Sequence, residues 1–158
     1  MISLLQRVSQ ASVLVDGQVI GQIGRGLLML VCAEPGDTAE EADRLLAKVL
    51  KLRIFPDESG RMNRSLQDLD GHGERGGLLV VSQFTLAADL SSGNRPGFAG
   101  AAEPALAREL LDHLLASARG QHAPVATGRF GADMKVHLIN DGPVTLPLRI
   151  APSAARSQ

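Results

Sequence analysis

Tryptophan and tyrosine are absent from this chain of 158 residues and phenylalanine occurs only four times, so its core must be built from Leu, Val, Ile and Ala. So few rings leave few platforms for stacking unpaired bases, which argues against binding single-stranded RNA along its length. One cysteine, Cys32, excludes an intrachain disulfide framework and a cysteine-rich metal site. It lies in the apolar run Leu27–Ala33 and reads as a small buried apolar side chain. Neither charge predominates: 16 Lys and Arg stand against 17 Asp and Glu, a formal net charge of −1. That argues against gripping nucleic acid by a broad basic field, though not against contact with the end of an RNA. No apolar run approaches a membrane-spanning length. Met1–Gln10 is broken by Ser3, Gln6 and Arg7, unlike the apolar core of a signal peptide. The expectation is a soluble, cytoplasmic protein without membrane or DNA partners.

A hydrophobic share of 44% with 21% charged residues belongs to a globular domain of ordinary size. Asp16-Gly17 between Val13-Leu14-Val15 and Val19-Ile20 is a hairpin signal, because both turn residues tolerate positive φ. After a turn at Gly24 and Gly26, the run from Leu27 reads as a strand buried on both faces. Asp37 or Thr38 can cap a helix whose stripe is Ala42, Leu45, Leu46, Val49 and Leu50. Arg44, Lys48 and Lys51 oppose that stripe. Glu40, four residues before Arg44, makes this an ion-paired solvated face rather than an RNA-contacting one. A turn falls at 57–60, and the glycine-rich segment 68–77 reads as a mobile surface loop.

A second buried strand is expected over 78–84, followed by an irregular segment over 88–100. Pro104 suits the first position of a helix with the stripe Ala107, Leu110, Leu111, Leu114 and Ala118, ending at Gly120. Strands are expected over 127–130, 133–139 and 144–150, the last two joined by a tight turn at Asn140-Asp141-Gly142-Pro143. Residues 1–150 then form one mixed α/β domain, sheet-based with two main helices on one face, and 151–158 a fraying tail.

Familiar catalytic signatures are missing. There is no G-x-S-x-G elbow, Walker A loop or H-E-x-x-H pair. His72, His113, His122 and His137 are scattered without partners at ligand spacing, which disfavours a metal site. No Ser-His-Asp set is evident.

Two segments stand out together: Ser82-Gln83-Phe84-Thr85-Leu86 at a strand end, and Asn140-Asp141-Gly142-Pro143-Val144-Thr145 at a turn. Alone, each has a bland explanation, a strand terminus and a simple Gly-Pro turn. In this order and separation they resemble the D-aminoacyl-tRNA deacylase family, also called D-tyrosyl-tRNA deacylases. The resemblance extends to Leu5-Gln6-Arg7-Val8, Arg53-Ile54-Phe55, Met62-Asn63, Arg95-Pro96, Thr127-Gly128-Arg129-Phe130 and Ala132-Asp133-Met134. The 68–77 loop is longer than the family pattern, and the tail beyond Ile150 is extra.

The resemblance implies a homodimer with barrel-like sheets that hydrolyses the ester of D-aminoacyl-tRNA, needing no cofactor or metal. It implies a cis Gly142–Pro143 bond inserted into the partner subunit's active site; cis bonds are only about 5–6% of X-Pro bonds, so composition alone does not announce one. An L side chain would collide with that backbone and a D side chain would point into open space, a filter by exclusion that achiral glycine, for example mischarged on tRNA-Ala, would pass. Arg7 would hold the Gly-Pro loop, with Asn140, Thr145 and Met134 in support. On composition alone Arg7 is an ordinary surface arginine.

Ser82, Gln83, Phe84 and Thr85 would carry the chemistry. Backbone N–H groups around Gln83 and Phe84 can stabilise an oxyanion. Thr85 as nucleophile needs a base, and the sequence offers none. The preferred expectation is attack by water, helped by the terminal adenosine 2′-hydroxyl, with Thr85 orienting groups. A non-catalytic module binding aminoacyl-tRNA ends and a metal-free small-molecule esterase are the competing readings.

Overall fold

The computed structural model describes residues 1–153. Its order is β1 (Ile2–Val15), β2 (Gln18–Ile23), β3 (Gly26–Cys32), α1 (Ala39–Lys51), β4 (Arg53–Pro56), β5 (Met62–Ser65), β6 (Gly77–Ser82), a 3-10 turn (Phe84–Ala87), α2 (Pro104–Gln121), β7 (Val125–Thr127) and β8 (Lys135–Arg149). Six strands form one sheet in the order β2-β1-β3-β6-β7, with β8 along the other edge of β1. The β3–β6 and β6–β7 pairs are parallel and the rest antiparallel. Strand β7 comes back against β2, so the sheet nearly closes into a barrel. Gly21 permits this closure: a Cβ there would sit 2.4 Å from the Thr127 carbonyl oxygen.

Strand alternation divides the core in two. Leu27, Met29 and Val31 of β3 and Leu78 and Val80 of β6 face both helices, while Leu28, Leu79 and Val81 turn inward with Val8, Ala11, Val13 and Ile23. Both faces of β3 and β6 are therefore buried, as their unbroken apolar runs require. The helical stripes are buried as expected, and both pack on the same layer. Asp16 and Gly17 have φ of 50° and 76°, completing the β1–β2 hairpin.

Thr38, not Asp37, caps α1. Its hydroxyl accepts from Glu40 N at 3.3 Å and the Glu41 carboxylate reaches back to Thr38 N at 2.9 Å, a capping box. Asp37 instead accepts from the Met1 amino group at 2.9 Å. Arg44 pairs with Glu41 at 3.5 Å and not with Glu40, whose carboxylate accepts from the Ser153 hydroxyl. Residues 151–153 thus dock on α1, while 154–158 lie outside the described residues.

Several expected boundaries move. Strand β6 stops at Ser82: the last ladder bond runs from Gln83 N to Val31 O at 2.8 Å, and the chain then curls into the 3-10 turn. Strand β7 covers 125–127, not 127–130. The strands over 133–139 and 144–150 are one strand, β8, paired to β1 on both sides of an interruption. Its register jumps from Gln6↔Thr145 to Val8↔Asn140, so residues 141–144 bulge out opposite Arg7 alone. The 57–60 turn joins the β4–β5 hairpin, whose strands the sequence reading left unassigned. The 68–77 loop is a framed one: Asp68 Oδ1 accepts from Gly71 N and Gly73 N, and Asp70 Oδ1 from His72 N and Glu74 N.

Candidate functional site

The first three residues of the first motif sit on the wall of a cleft of about 670 Å³ between the C-terminal ends of β3 and β6, the start of α2 and the segment 130–134, and Thr85 and Leu86 do not line it. Ser82, Gln83, Phe84 and Met134 line it, with Cys32 among the residues of its floor. The parallel β3–β6 pair ends here, so the turn after Ser82 delivers Gln83 and Phe84 to the opening. Phe84 is 55% exposed, and the neighbouring Thr85 is exposed as well. The Gln83 side-chain amide donates to the Thr85 hydroxyl. No carboxylate or imidazole bonds to that hydroxyl among the described residues.

Backbone donors here are unequal. Gln83 N–H is engaged by Val31 O, leaving Phe84 N–H, at the start of the 3-10 turn, without a partner among the described residues. Cys32 is buried, with its Sγ 3.2 Å from Ala33 O. Burial, and next the Glu34 carboxylate, push its thiol above the ordinary value, so it is held protonated and is a poor nucleophile. Met134 Sδ accepts from Arg129 N at 3.4 Å, which steadies the turn over 129–134.

The second motif forms a separate structure on β1 and β8. Arg7 donates from Nε to Asp141 O at 2.9 Å and from Nη1 to Ile54 O at 2.7 Å. Asn140 closes the neck of the bulge: its Oδ1 accepts from Val144 N at 3.0 Å and its Nδ2 donates to Thr145 Oγ1 at 2.8 Å. Gln6 Nε2 reaches the same Thr145 hydroxyl at 3.4 Å. At the tip Gly142 has φ of 139°, open to glycine and strained for other residues, and an added Cβ would lie 2.8 Å from Val144 Cγ2 and 3.0 Å from Arg7 Nη2. The Gly142–Pro143 bond is cis, as is Ala123–Pro124. Pro143 is exposed, while Val144 beside it is buried.

Within one chain, then, Ser82, Gln83, Phe84 and Met134 meet at the cleft, and Arg7, Asn140, Gly142, Pro143 and Thr145 meet at the bulge, which is not part of the cleft lining. A more polar hollow of about 890 Å³, bounded by Ser9, Gln10, Gln22 and His137 among others, contains residues of neither motif. Sequence reasoning passed over Phe98, whose ring meets Phe84 edge to face at 5.0 Å between centroids, and left Phe130 without a role. The signal was available: in a chain with so few rings, any ring outside the core is conspicuous.

Comparison with known proteins covers nearly the whole chain. The family model described as D-Tyr-tRNA(Tyr) deacylase matches residues 4–149. A D-aminoacyl-tRNA deacylase of Albidiferax ferrireducens is 67% identical, over 98% of this chain and 97% of that protein. One from Delftia acidovorans is 68% identical, over 98% and 99%. Among solved structures, one titled c-Myc DNA Unwinding Element Binding Protein superposes with a TM-score of 0.86 at 39% identity, covering 96% of this chain and 99% of that one.

Proposed function

This chain belongs to the D-Tyr-tRNA(Tyr) deacylase family, which makes it a hydrolase of the aminoacyl-tRNA ester, and we propose that it clears D-amino acids from tRNA in the cytoplasm as a two-fold dimer whose Gly142–Pro143 bulge enters the partner's cleft. One observation carries this reading: the bulge is braced from below by Arg7, closed at its neck by Asn140, and presents an exposed Pro143 that meets no cleft of its own subunit. Four residues standing out of a sheet opposite one are an expensive device for a surface turn. They fit a rigid probe for a second copy of the chain, where a two-fold axis gives two equivalent sites.

The filter works by exclusion. Backbone held beside the α-carbon leaves no room for an L side chain, while a D side chain points away and needs no fitted pocket. Many D-amino acids are accepted for that reason, and glycine, which has nothing to collide, is accepted too, including glycine mischarged on tRNA-Ala. Met134 supports the cleft wall in this arrangement.

Water attacks the ester carbonyl, assisted by the 2′-hydroxyl of the terminal adenosine. The oxyanion is met by Phe84 N–H. The intermediate collapses by expelling the 3′-oxygen, which takes up a proton, leaving free D-amino acid and tRNA. A Thr85 hydroxyl whose partner is an amide donor supports an orienting role over a nucleophilic one. A formal net charge of −1 favours a ligand gripped at its end over duplex DNA. Release of free D-tyrosine from D-tyrosyl-tRNA by the purified protein tests the reaction. Binding of that ester without turnover would move the chain to the class of binding modules.

A further inference from the structure

Three of the four phenylalanines, Phe84, Phe98 and Phe130, line the one cleft that holds Gln83, and Phe55 is the one fully buried. The charged side chains of the same lining are both acidic, Glu103 and Asp133, Asp133 is paired to Lys135 Nζ at 3.0 Å, and the Met1 amino group is already paired with Asp37 at 2.9 Å. A cleft that takes an RNA end needs positive charge at its mouth, and its walls supply none.

Arg108 stands at that place. It follows Ala107, a lining residue of α2, and its Cζ lies 4.5 Å from the centroid of the Phe130 ring. The side chain is exposed and forms no hydrogen bond or ion pair among the described residues. Arg7, Arg44, Arg53, Arg64 and Arg149 use donors on protein oxygens, and among the described residues Arg108 is the arginine whose guanidinium lies over a ring of the cleft. Placed over that ring, the guanidinium is restrained by cation–π attraction without using its N–H donors. A planar fork held in advance, with every N–H free, matches the two oxygens of a phosphodiester.

We propose that Arg108, stacked on Phe130 at the rim of the cleft, anchors a backbone phosphate at the 3′ end of the bound RNA. This rests on the deacylase reading and adds to it the residue that grips the nucleic acid rather than the amino acid. Arg108 acts in binding and takes no part in the chemical step.

The test uses a fluorescent acceptor-stem RNA ending in CCA, titrated at several salt concentrations, with two hydrolysis substrates: D-tyrosyl-tRNA and D-tyrosyl-adenosine, which has no phosphate. Arg108→Gln is compared with Arg119→Gln, which removes the same charge from the same helix about 16 Å further along. Arg108→Gln is expected to weaken RNA binding about threefold to tenfold and to lower the salt slope by about 0.7–0.9, the loss of one phosphate contact. It leaves hydrolysis of D-tyrosyl-adenosine unchanged, Arg119→Gln shifts the slope far less, and Arg108→Lys recovers part of the binding. An unchanged slope, no RNA binding by the wild type, or equal damage to the phosphate-free ester overturns the anchor. If the wild type binds RNA with an Arg108-dependent slope yet spares D-tyrosyl-tRNA, the deacylase reading falls and the anchor stands.

Discussion

Arg7 donates from Nε to the carbonyl oxygen of Asp141 at 2.9 Å, and this bond fixes the base of the bulge that carries Gly142 and Pro143. The second arm of the guanidinium, held by Ile54 O at 2.7 Å, ties the bulge to the β4 layer. Its side chain is only 11% exposed, and the Ile54 bond is partly buried while the Asp141 bond lies at the surface. Arg7→Lys keeps the charge but lacks the fork to reach both carbonyls. The expected result is a folded protein, less stable by about 1–3 kcal/mol in urea unfolding, whose preference for D over L esters falls at least tenfold. Unaltered selectivity would separate the arginine from the filter.

Thr85→Ala is expected to retain kcat within about threefold of the wild type, because the hydroxyl orients and does not attack. Removal of a true nucleophile costs several orders of magnitude more. A rapid-quench search for an acyl-threonine ester is the complementary measurement, and a trapped adduct contradicts this account.

Acid stability depends on Glu41. Burial pushes its carboxyl up, but hydrogen bonds from the hydroxyls and amides of Thr38 and Ser153 outweigh burial and hold it at about 2, below its ordinary 4.5. A depressed carboxyl contributes stability that is complete above 4.5 and is lost as pH falls toward 2. The contribution is at most about 3 kcal/mol. Glu41→Gln should therefore flatten the decline in unfolding free energy across that window, read by urea melts at stepped pH.

His122 sets a second slope nearer neutrality. The ring is buried, its Nε2 lies 2.7 Å from Gly76 O, and Nδ1 has no partner among the described residues. Burial lowers its pKa below 6.5 against the raising effect of the Gly76 bond. The unfolded chain then binds the proton first, so stability is full above 6.5 and declines as pH falls through the folded value. His122→Phe should remove that decline while lowering stability at pH 8, where the Gly76 bond is lost.

Much of this architecture is legible in the residues. The stripes Ala42–Leu50 and Ala107–Ala118, the Asp16-Gly17 turn and the two-sided apolar runs of β3 and β6 follow from local periodicity and turn chemistry. Features set by distant partners are harder to read. Asn140–Pro143 has the composition of a hairpin turn, and only the pairing of β8 with the same strand, β1, before and after it makes it a bulge. The strands β4 and β5 are four residues each and carry Arg, Asn and Ser, too short and polar for a periodic signal. Phe98 and Phe130 lie in irregular segments, and only the fold brings Phe98 onto Phe84 and Phe130 to the same cleft. The resemblance placed the two motifs in different subunits' sites, and one chain does hold them at two separate places.

The most direct measurement incubates the purified protein with D-tyrosyl-tRNA and L-tyrosyl-tRNA side by side in the presence of a chelator. Loss of the D ester with the L ester spared is the predicted result, and it should disappear together with the dimer on dilution. Loss of both esters at similar rates would leave a hydrolase without the Gly142–Pro143 filter, and survival of both would contradict the account.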